Sequence, residues 1–266
     1  MSLSEKGAFP ITIENIENNF FAVSRYWGRL NASLKKAGPV WAMSTGVAVS
    51  DINWAWNEEP LKKEDQASVL EIREYYKEKN LPFWWWVYPR GQSLETIGVL
   101  RAAGLKYFAG VPGMAADLHQ SPGKFHPADN ITIIPVENRD DLMLWQNISF
   151  DGFEMPPHAR TSYAAFVSSF EAGAQSSQRL FLACMDGKPA ATSLLFIDQN
   201  TAGIYYVSTL PAFRNKGCGL KITQAAMQSA REAGCKNVIL QATPMGERLY
   251  RRLNFRPHCQ AEIYTL

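Results

Sequence analysis

The chain has 266 residues, a length that suits one large domain or two ordinary ones, each able to bury a substantial core. Its 46% apolar and 20% charged residues are typical of a soluble globular protein, and no apolar run approaches the roughly 20 residues of a membrane-spanning helix. A formal net charge of +2 is too small to indicate a nucleic-acid-binding surface, so neither nucleic acid nor membrane is expected as a partner.

The cysteines and the N-terminus indicate the compartment. No Cys-x-x-Cys pair occurs, and the cysteines lie in one half of the chain, at Cys184, Cys218, Cys235 and Cys259. Reduced thiols are therefore expected rather than a disulfide framework or a zinc site. The first residues contain no signal-like apolar core. We predict a cytoplasmic protein without a metal.

The first half alternates helical and strand patterns after a disordered start. Apolar residues recur at helical spacing from Ile13 to the Asn31 region. The later predicted elements are strands 39–44 and 47–56, helix 61–79, strand 83–88, helix 93–103 and a hairpin-like piece 105–118 with Pro112-Gly113 inside it. The proline- and glycine-rich segment 121–130 is predicted to be a linker.

The second half of the sequence starts a new and longer series of predicted strands and helices. They are strand 131–136, helices 139–148 and 157–172, strands 180–185, 189–197 and 203–209, helix 217–233, strand 237–242, helix 246–253 and strand 258–264. The order is therefore β-α-α-β-β-β-α-β-α-β.

The junction between strand 203–209 and the following helix carries a basic glycine turn, from Arg214 to Gly219. A helix N-terminus directs backbone N–H groups and a positive dipole at one spot, and Gly217 and Gly219 lack the Cβ that would keep a phosphate away. Neither the P-loop pattern nor the dinucleotide-binding fingerprint is present here. The sequence predicts an anion-binding loop.

The Arg-x-x-Gly-x-Gly order at 214–219, which follows strand 203–209 and Pro211, resembles motif A of the GNAT superfamily of acetyl-CoA-dependent N-acetyltransferases. The element order of 131–266 is similar to that of a GNAT domain. The resemblance implies an α/β fold with a mixed sheet, the acyl-CoA N-acyltransferase (GNAT) fold, in which the loop holds the pyrophosphate of coenzyme A.

The first half resembles a degenerate copy of the same plan. Segment 104–118 is similar to the close of a GNAT domain, but no Arg-x-x-Gly-x-Gly loop occurs in 1–130. We therefore predict a degenerate GNAT-like domain at 1–128, a GNAT acetyltransferase domain at 129–266, and one active site per chain. An unrelated α/β cap remains the alternative for the first half.

The resemblance also implies which residues hold the cofactor. The strand from Val207 would offer backbone groups to the pantetheine arm and polarise the thioester, and the loop amides would bind the pyrophosphate, with Arg214 and Lys216 adding charge. Thr243 stands where the family often has a cofactor-contacting asparagine. The predicted contacts are Val207, Ser208, Thr209, Arg214, Asn215, Lys216, Gly217, Cys218, Gly219, Leu220 and Thr243.

Tyr250 is the most specific residue outside the loop. The segment 249–255, Leu-Tyr-Arg-Arg-Leu-Asn-Phe, is similar to a family pattern in which the tyrosine protonates the coenzyme A thiolate. Asn254 replaces the usual glycine, but asparagine also tolerates the left-handed conformation of a helix end. The resemblance implies that Tyr250 is the general acid.

The acceptor site is less clear because strand 203–209 contains no carboxylate to act as a base. We expect a base acting through water or one supplied by the first half. Two tryptophans share one face of a first-half strand, and three polar residues lie in the loop between the first two helices of the second half, where the family often forms its acceptor site. These candidates are Trp54, Trp56, Asp151, Glu154 and His158.

The leading hypothesis is an N-acetyltransferase that acts on a primary amine of a small molecule or a protein, bound between the two halves. One alternative is a non-catalytic acyl-CoA sensor. Another is an aminoacyl-tRNA-dependent transferase, which the near-neutral charge and the intact loop argue against. The sequence leaves the oligomeric state open.

Overall fold

The computed structural model describes residues 11–120, 130–171, 173 and 176–266. In these parts the chain forms one 11-stranded sheet flanked by seven α-helices. The first half contributes α1 (Ile13–Leu30), β1 (Lys35–Ala37), β2 (Val40–Met43), β3 (Trp54–Asn57), α2 (Gln66–Glu78), β4 (Trp84–Val87), α3 (Leu94–Ala102) and β5 (Lys106–Asp117).

The second half follows the predicted order of elements. It contributes β6 (Ile131–Pro135), α4 (Arg139–Gly152), α5 (Arg160–Ser168), β7 (Gln178–Met185), β8 (Lys188–Asp198), β9 (Thr201–Thr209), α6 (Cys218–Glu232), β10 (Asn237–Gln241), α7 (Pro244–Arg252) and β11 (Arg256–Thr265). Helix α4 is longer than predicted, and α5 is shorter at both ends: a 3₁₀ turn (Pro157–Ala159) precedes it, and it ends at Ser168. The α/β class with a mixed sheet is confirmed. The linker prediction falls outside the described residues except at Asn130.

The predicted strand 47–56 is wrong over most of its length. Only Trp54–Asn57 is a strand, because the side chain of Asn53 fixes the preceding segment as a loop. Its amide nitrogen donates to the carbonyls of Val47, Val49 and Pro82 at 2.8 to 2.9 Å, and its Oδ1 accepts from the backbone N–H of Thr45. The three-residue strand β1 was not predicted.

The predicted hairpin at 105–118 is also wrong, because this segment is the single 12-residue strand β5. Pro112 is tolerated inside it because β10 ends opposite Gly113. Just beyond that point the Pro112 carbonyl accepts a hydrogen bond from the backbone N–H of Ala242, which follows β10, at 3.0 Å. The missing N–H of the proline therefore omits only the last bond of the β5–β10 ladder, at the point where the pairing ends.

The two halves exchange their last strands. The strand order is β1-β2-β3-β4-β11-β5-β10-β9-β8-β7-β6, so β11 lies between two first-half strands and β5 lies between β10 and β11. All three pairings at this crossover, β4 with β11, β11 with β5 and β5 with β10, are antiparallel. The backbone hydrogen bonds of the sheet are thus continuous from one half to the other.

Both halves repeat one arrangement of two parallel strands and their helices. In the first half β3 and β4 are parallel and α2 connects them; in the second half β9 and β10 are parallel and α6 connects them. The series β2-β3-α2-β4-α3-β5 therefore corresponds to β8-β9-α6-β10-α7-β11. This correspondence identifies the first-half equivalent of the predicted anion-binding loop, the segment 58–65.

Alternation along the strands separates the core into layers. Leu180, Leu182 and Leu194 face α1, α4 and α5, while Phe181 and Leu195 face α6 on the other side of the sheet. A third cluster lies under α2 and α3 and includes Trp85. Helix α1 packs in the middle of the molecule, against strands from both halves.

Helix α1 docks on the second half through Asn19. Its side-chain amide donates to the carbonyls of Phe196 and Thr201, and its Oδ1 accepts from the hydroxyl of Tyr205 at 2.9 Å. Gly203 makes this close approach possible, since a Cβ there would lie 2.1 Å from Asn19 Oδ1. A helix of the first half is therefore fixed directly on the sheet of the second.

No helix in the described part of the chain combines the length and apolar character needed to cross a membrane.

Candidate active site

The parallel strands β9 and β10 separate after a short region of pairing. They pair only where Thr201–Gly203 run beside Asn237–Ile239, although β9 continues to Thr209. In the first half, by contrast, β3 and β4 stay paired from Trp54 to Asn57. The second half alone thus opens a cleft between its parallel strands, with a free edge of β9 along it.

A bulge interrupts β9 at the start of this free edge. Tyr206 and Val207 together stand opposite Ser193 of β8, and Tyr206 has a positive φ of 51°. The carbonyl freed at Ser193 accepts a hydrogen bond from Trp145 Nε1 at 3.1 Å, and the hydroxyl of Thr192 donates to the Tyr206 carbonyl at 3.0 Å. The bulge is therefore held by side chains and turns Tyr205 and Tyr206 to the same face of the sheet.

The predicted anion-binding loop lies where β9 leads into α6. Within the described residues, the backbone N–H groups of 215–220 have no hydrogen-bond acceptor, whereas that of Lys221 donates to the Gly217 carbonyl. Gly217 is the N-cap, in a left-handed conformation with φ of 93°, and no side chain caps the helix. Asn215 has a positive φ of 62°. Successive amides and the positive end of the α6 dipole thus make a site suited to an anion.

The residues of the loop differ in what they present to a ligand. Cys218 is buried in the core between α6 and the sheet, so only its backbone belongs to the loop. Burial raises the pKa of its thiol, which keeps it protonated at neutral pH. A Cβ on Gly219 would lie 3.1 Å from Leu249 of α7, so Gly219 allows α7 to pack beside the loop.

Arg214 links the loop to helix α4. Its guanidinium donates to the carbonyls of Thr209 and Gly152 and to the carboxylate of Glu154 at 2.7 Å. Lys216 is exposed and stacks its ammonium over Phe213 at 5.7 Å. Of the two predicted cations, Arg214 is held by neighbours that fix the loop, and Lys216 is the one available to a bound anion.

The equivalent loop of the first half is filled by its own side chains. It contains no glycine, and the backbone N–H groups of Leu61, Lys62 and Lys63 donate to Thr96, Asp65 and Glu95 at 2.8 to 2.9 Å. Two carboxylates therefore occupy the amides that would face a phosphate. This half therefore has no glycine turn before its helix, and it has no cleft between its parallel strands.

Tyr250 lies on α7 beside the loop, next to Leu249. It is 7% exposed and packs against Phe255 and over Gly246. Burial raises the pKa of its phenol, so the hydroxyl stays protonated at neutral pH. In the described part of the chain this hydroxyl has no hydrogen-bond partner, which leaves a proton donor in an apolar setting. Asn254 has φ of 65°, which confirms that asparagine closes this helix in the left-handed conformation.

Thr243 is the N-cap of α7. Its hydroxyl accepts from the backbone N–H of Gly246 at 3.2 Å. The hydroxyl of Ser208 is likewise engaged, 2.8 Å from that of Thr192. The side chains of these two predicted cofactor residues therefore serve local structure, and their contact with coenzyme A stays a prediction.

A cavity of about 130 Å³ lies between the two halves on the face of the sheet that carries α1, α4 and α5. Its lining comes from α1, from the loop before β3, from the segment after α4 and from the bulge of β9. The lining residues are Trp27, Asp51, Ile52, Trp54, Phe153, Met155, Tyr205 and Tyr206. It thus combines an aromatic wall with a single carboxylate.

Asp51 is the functional candidate that the sequence did not reveal. Its Oδ1 is buried and has no hydrogen-bond partner among the described residues, and burial raises the pKa of its carboxyl. Its backbone carbonyl accepts from Trp54 Nε1 at 2.6 Å, which fixes the residue beside the aromatic wall. The sequence analysis expected that the first half could supply a base, but it named no residue for that role.

The predicted acceptor residues separate into two groups. Trp54 lines the cavity, whereas Trp56 is fully buried between Trp41 and Phe21. The three polar candidates are exposed and do not line the cavity; Asp151 pairs with Arg160 and Glu154 with Arg214. The acceptor roles of the candidates Trp54, Trp56, Asp151, Glu154 and His158 remain predictions.

The groups of the loop and of β9 fit the parts of coenzyme A, the cofactor that the sequence resemblance implies. Unpartnered amides suit a pyrophosphate, and the free edge of β9 suits the amide groups of a pantetheine arm. Among the described residues no group of His, Cys, Asp and Glu side chains could hold a metal ion.

The cleft, the loop and α7 all lie within a segment of the chain that is similar to a known protein family. Residues 140–255 match the Acetyltransferase (GNAT) family. No curated protein matches the chain.

Solved structures resemble nearly the whole chain. A GCN5-related N-acetyltransferase from Kribbella flavida is 23% identical, with 93% of this chain and 94% of that chain covered and a TM-score of 0.69. Another from Sphaerobacter thermophilus is 16% identical, with 86% and 76% covered and a TM-score of 0.62. A tandem GNAT protein from the clavulanic acid biosynthesis pathway is 13% identical, with 97% of both chains covered and a TM-score of 0.54. At these identities the likeness concerns the fold, and it extends over both halves.

Proposed function

Since residues 140–255 form a domain of the GNAT acetyltransferase family and the first half has a GNAT-like fold, we propose that the protein transfers the acetyl group of acetyl-CoA to a primary amine bound between the two halves. One observation carries this proposal. Among the described residues, the amides of 215–220 have no acceptor and lie at a glycine turn beside a cleft between β9 and β10, whereas the first-half turn has no glycine, two of its amides bind carboxylates, and β3 and β4 stay paired.

Acetyl-CoA supplies the acetyl group as a thioester. The amides of the loop bind its pyrophosphate, with Lys216 adding positive charge, and Arg214 keeps the loop in place. The free edge of β9 from Val207 to Thr209 pairs with the pantetheine arm. A backbone N–H at the bulge polarises the thioester carbonyl, because a donor fixed there stabilises the charge that develops on oxygen.

Tyr250 donates the proton that the departing sulfur needs. As the amine nitrogen forms the new C–N bond, the C–S bond breaks and its electron pair stays on sulfur. A buried phenol with no other partner keeps its proton at neutral pH and can give it to this thiolate. The acid role of Tyr250 rests on its place beside the loop and on its free hydroxyl.

The proposal further includes one active site per chain, with 1–128 as the degenerate domain and 129–266 as the catalytic one. The first-half cradle is filled by Asp65 and Glu95, so a second cofactor is not expected to bind there.

An assay of acetyl transfer tests the function. Purified protein with acetyl-CoA and a panel of small primary amines should release free thiol and give N-acetylated products detectable by mass spectrometry. Tight acetyl-CoA binding with no transfer to any amine or to exposed protein amines would favour the sensor alternative and contradict the enzyme.

A further inference from the structure

The aromatic cavity between the halves has the size of a small organic group. An apolar cavity of about 150 Å³ accommodates benzene, and this one measures about 130 Å³. Trp27 stands edge-on to Tyr206 with ring centroids 5.5 Å apart, and Phe153 meets the same ring at 5.9 Å. Flat aromatic walls of this kind suit an apolar body and a neighbouring cation.

Among the described residues that line the cavity, Asp51 is the one carboxylate, and no lysine, arginine or histidine accompanies it. A buried carboxylate oxygen without a partner is costly, because it has lost water and gained no hydrogen bond. Asp51 Oδ1 is such an atom in the described part of the chain. The group that would satisfy it is a hydrogen-bond donor with a positive charge.

The cavity borders the place where acetyl transfer is proposed. Tyr206 lines the cavity and is also a residue of the β9 bulge. The opposite wall is connected to the cofactor loop, because Arg214 holds Gly152 and Glu154, which flank Phe153. A group held by Asp51 would therefore lie on the bulge side of the sheet, between the two halves.

We propose that Asp51 binds the ammonium group of a small primary amine whose apolar body, about the size of one ring, fills this cavity, and that it accepts the proton that leaves the ammonium before attack. The transfer step rests on the proposed function; the binding of the amine does not. The preferred acceptor carries no carboxylate of its own, since an anion beside Asp51 would be repelled and would meet no cation.

The proton balance is consistent with a carboxylate in this position. One proton of the ammonium goes to Asp51 and then to solvent, which leaves a lone pair on nitrogen to form the C–N bond. A second proton leaves nitrogen as the amide forms and replaces the one that Tyr250 gives to sulfur. Burial raises the pKa of the Asp51 carboxyl and lowers that of an ammonium, so the two pKa values approach one another in the cavity.

Calorimetric titration with benzylamine, without acetyl-CoA, tests the binding site directly. The wild type and the matched control Asp140→Asn, an exposed carboxylate on α4, should bind benzylamine equally. Asp51→Asn keeps the shape of the side chain and removes its charge, so it should bind at least about tenfold more weakly. Benzyl alcohol, which lacks the charge, and phenylglycine, which adds a carboxylate, should each bind the wild type at least about tenfold more weakly than benzylamine.

Two further measurements separate the possible failures. Asp51→Asn should bind acetyl-CoA as the wild type does, which shows that it is folded and that the cofactor site is intact. Failure of the wild type to bind benzylamine, equal binding by Asp51→Asn, or equal binding of phenylglycine would overturn the assignment of Asp51. If the wild type does not bind acetyl-CoA but still binds benzylamine in a way that depends on Asp51, the proposed function is contradicted. The assignment of the amine site is then unaffected.

Discussion

At the scale of one residue, the acid role proposed for Tyr250 rests on the position of its side chain. Its ring is anchored by Phe255 and Gly246, and its hydroxyl has no partner in the described part of the chain. The hydroxyl is not among the fully buried polar atoms that lack a partner, so it keeps some accessible surface at which an acceptor can reach it. The sulfur atom of coenzyme A, bound in the cleft between β9 and β10, would be an acceptor for this hydroxyl.

Replacing Tyr250 by phenylalanine separates binding from proton donation. Tyr250→Phe should bind acetyl-CoA within a factor of about two of the wild type, because only the hydroxyl is removed. Its kcat should fall by about 100-fold, the lower range for loss of a general acid. Steady-state kinetics measure this, with the exposed Tyr107→Phe as the matched control that keeps full activity. An unchanged kcat in Tyr250→Phe would remove the acid role.

Asp51 shows what the sequence could not provide at this scale. Nothing in its local pattern distinguishes it from other turn aspartates, because its significance comes from the cavity that it lines together with Trp27, Phe153 and Tyr206, which are remote in sequence. The loop glycines Gly217 and Gly219 were predictable for the opposite reason: their spacing and their place between strand and helix are local features.

The packing of helix α1 on β9 is the element-scale contact that joins the halves. Asn19 reaches the strand only because Gly203 leaves room for it. Overpacking at such a contact displaces the helix, whereas a glycine in open space has no such restriction.

Two glycine-to-alanine substitutions should therefore have opposite effects. Gly203→Ala should lower the free energy of unfolding by about 1–3 kcal/mol, because the new methyl group overlaps Asn19. Gly98→Ala, in the exposed middle of α3 with no atom within 4 Å of the new Cβ, should raise it by about 0.5–1 kcal/mol. Urea denaturation measures both. A neutral or stabilising Gly203→Ala would contradict the described docking of α1.

The elements that the sequence predicted well carry local signals. Ser93 accepts from the N–H of Thr96 and begins α3 as expected, and Thr12 caps α1. The errors arise where distant contacts decide. Asn53 turns a β-rich segment into a loop by binding three carbonyls, and Pro112 stays within a strand because its neighbour β10 has already ended.

At the scale of the whole molecule, the exchange of β5 and β11 makes the halves interdependent. Each half would lack a central strand without the other, and an exposed strand edge favours aggregation. The element order of a GNAT domain was readable from the sequence, but this exchange was not, because strand pairing between distant segments leaves no periodic signal.

Separate expression of the halves tests this interdependence. Chains 1–128 and 129–266 should each fail to give a cooperative unfolding transition, while their co-expression should give a 1:1 complex with the circular dichroism spectrum of the intact protein. Size-exclusion chromatography and thermal unfolding are sufficient measurements. Two independently folded halves would show that the exchanged strands are dispensable.

Titration of the protein with acetyl-CoA tests the central claim, a single cofactor site at the amides of 215–220. The wild type should bind one molecule per chain. Gly217→Glu should bind acetyl-CoA at least about 100-fold more weakly, because it places a carboxylate where the pyrophosphate would bind. Gly234→Glu introduces the same side chain at another glycine with positive φ, in open space at the far end of α6, and should bind normally. Two sites per chain, no site, or unchanged affinity in Gly217→Glu would contradict the account.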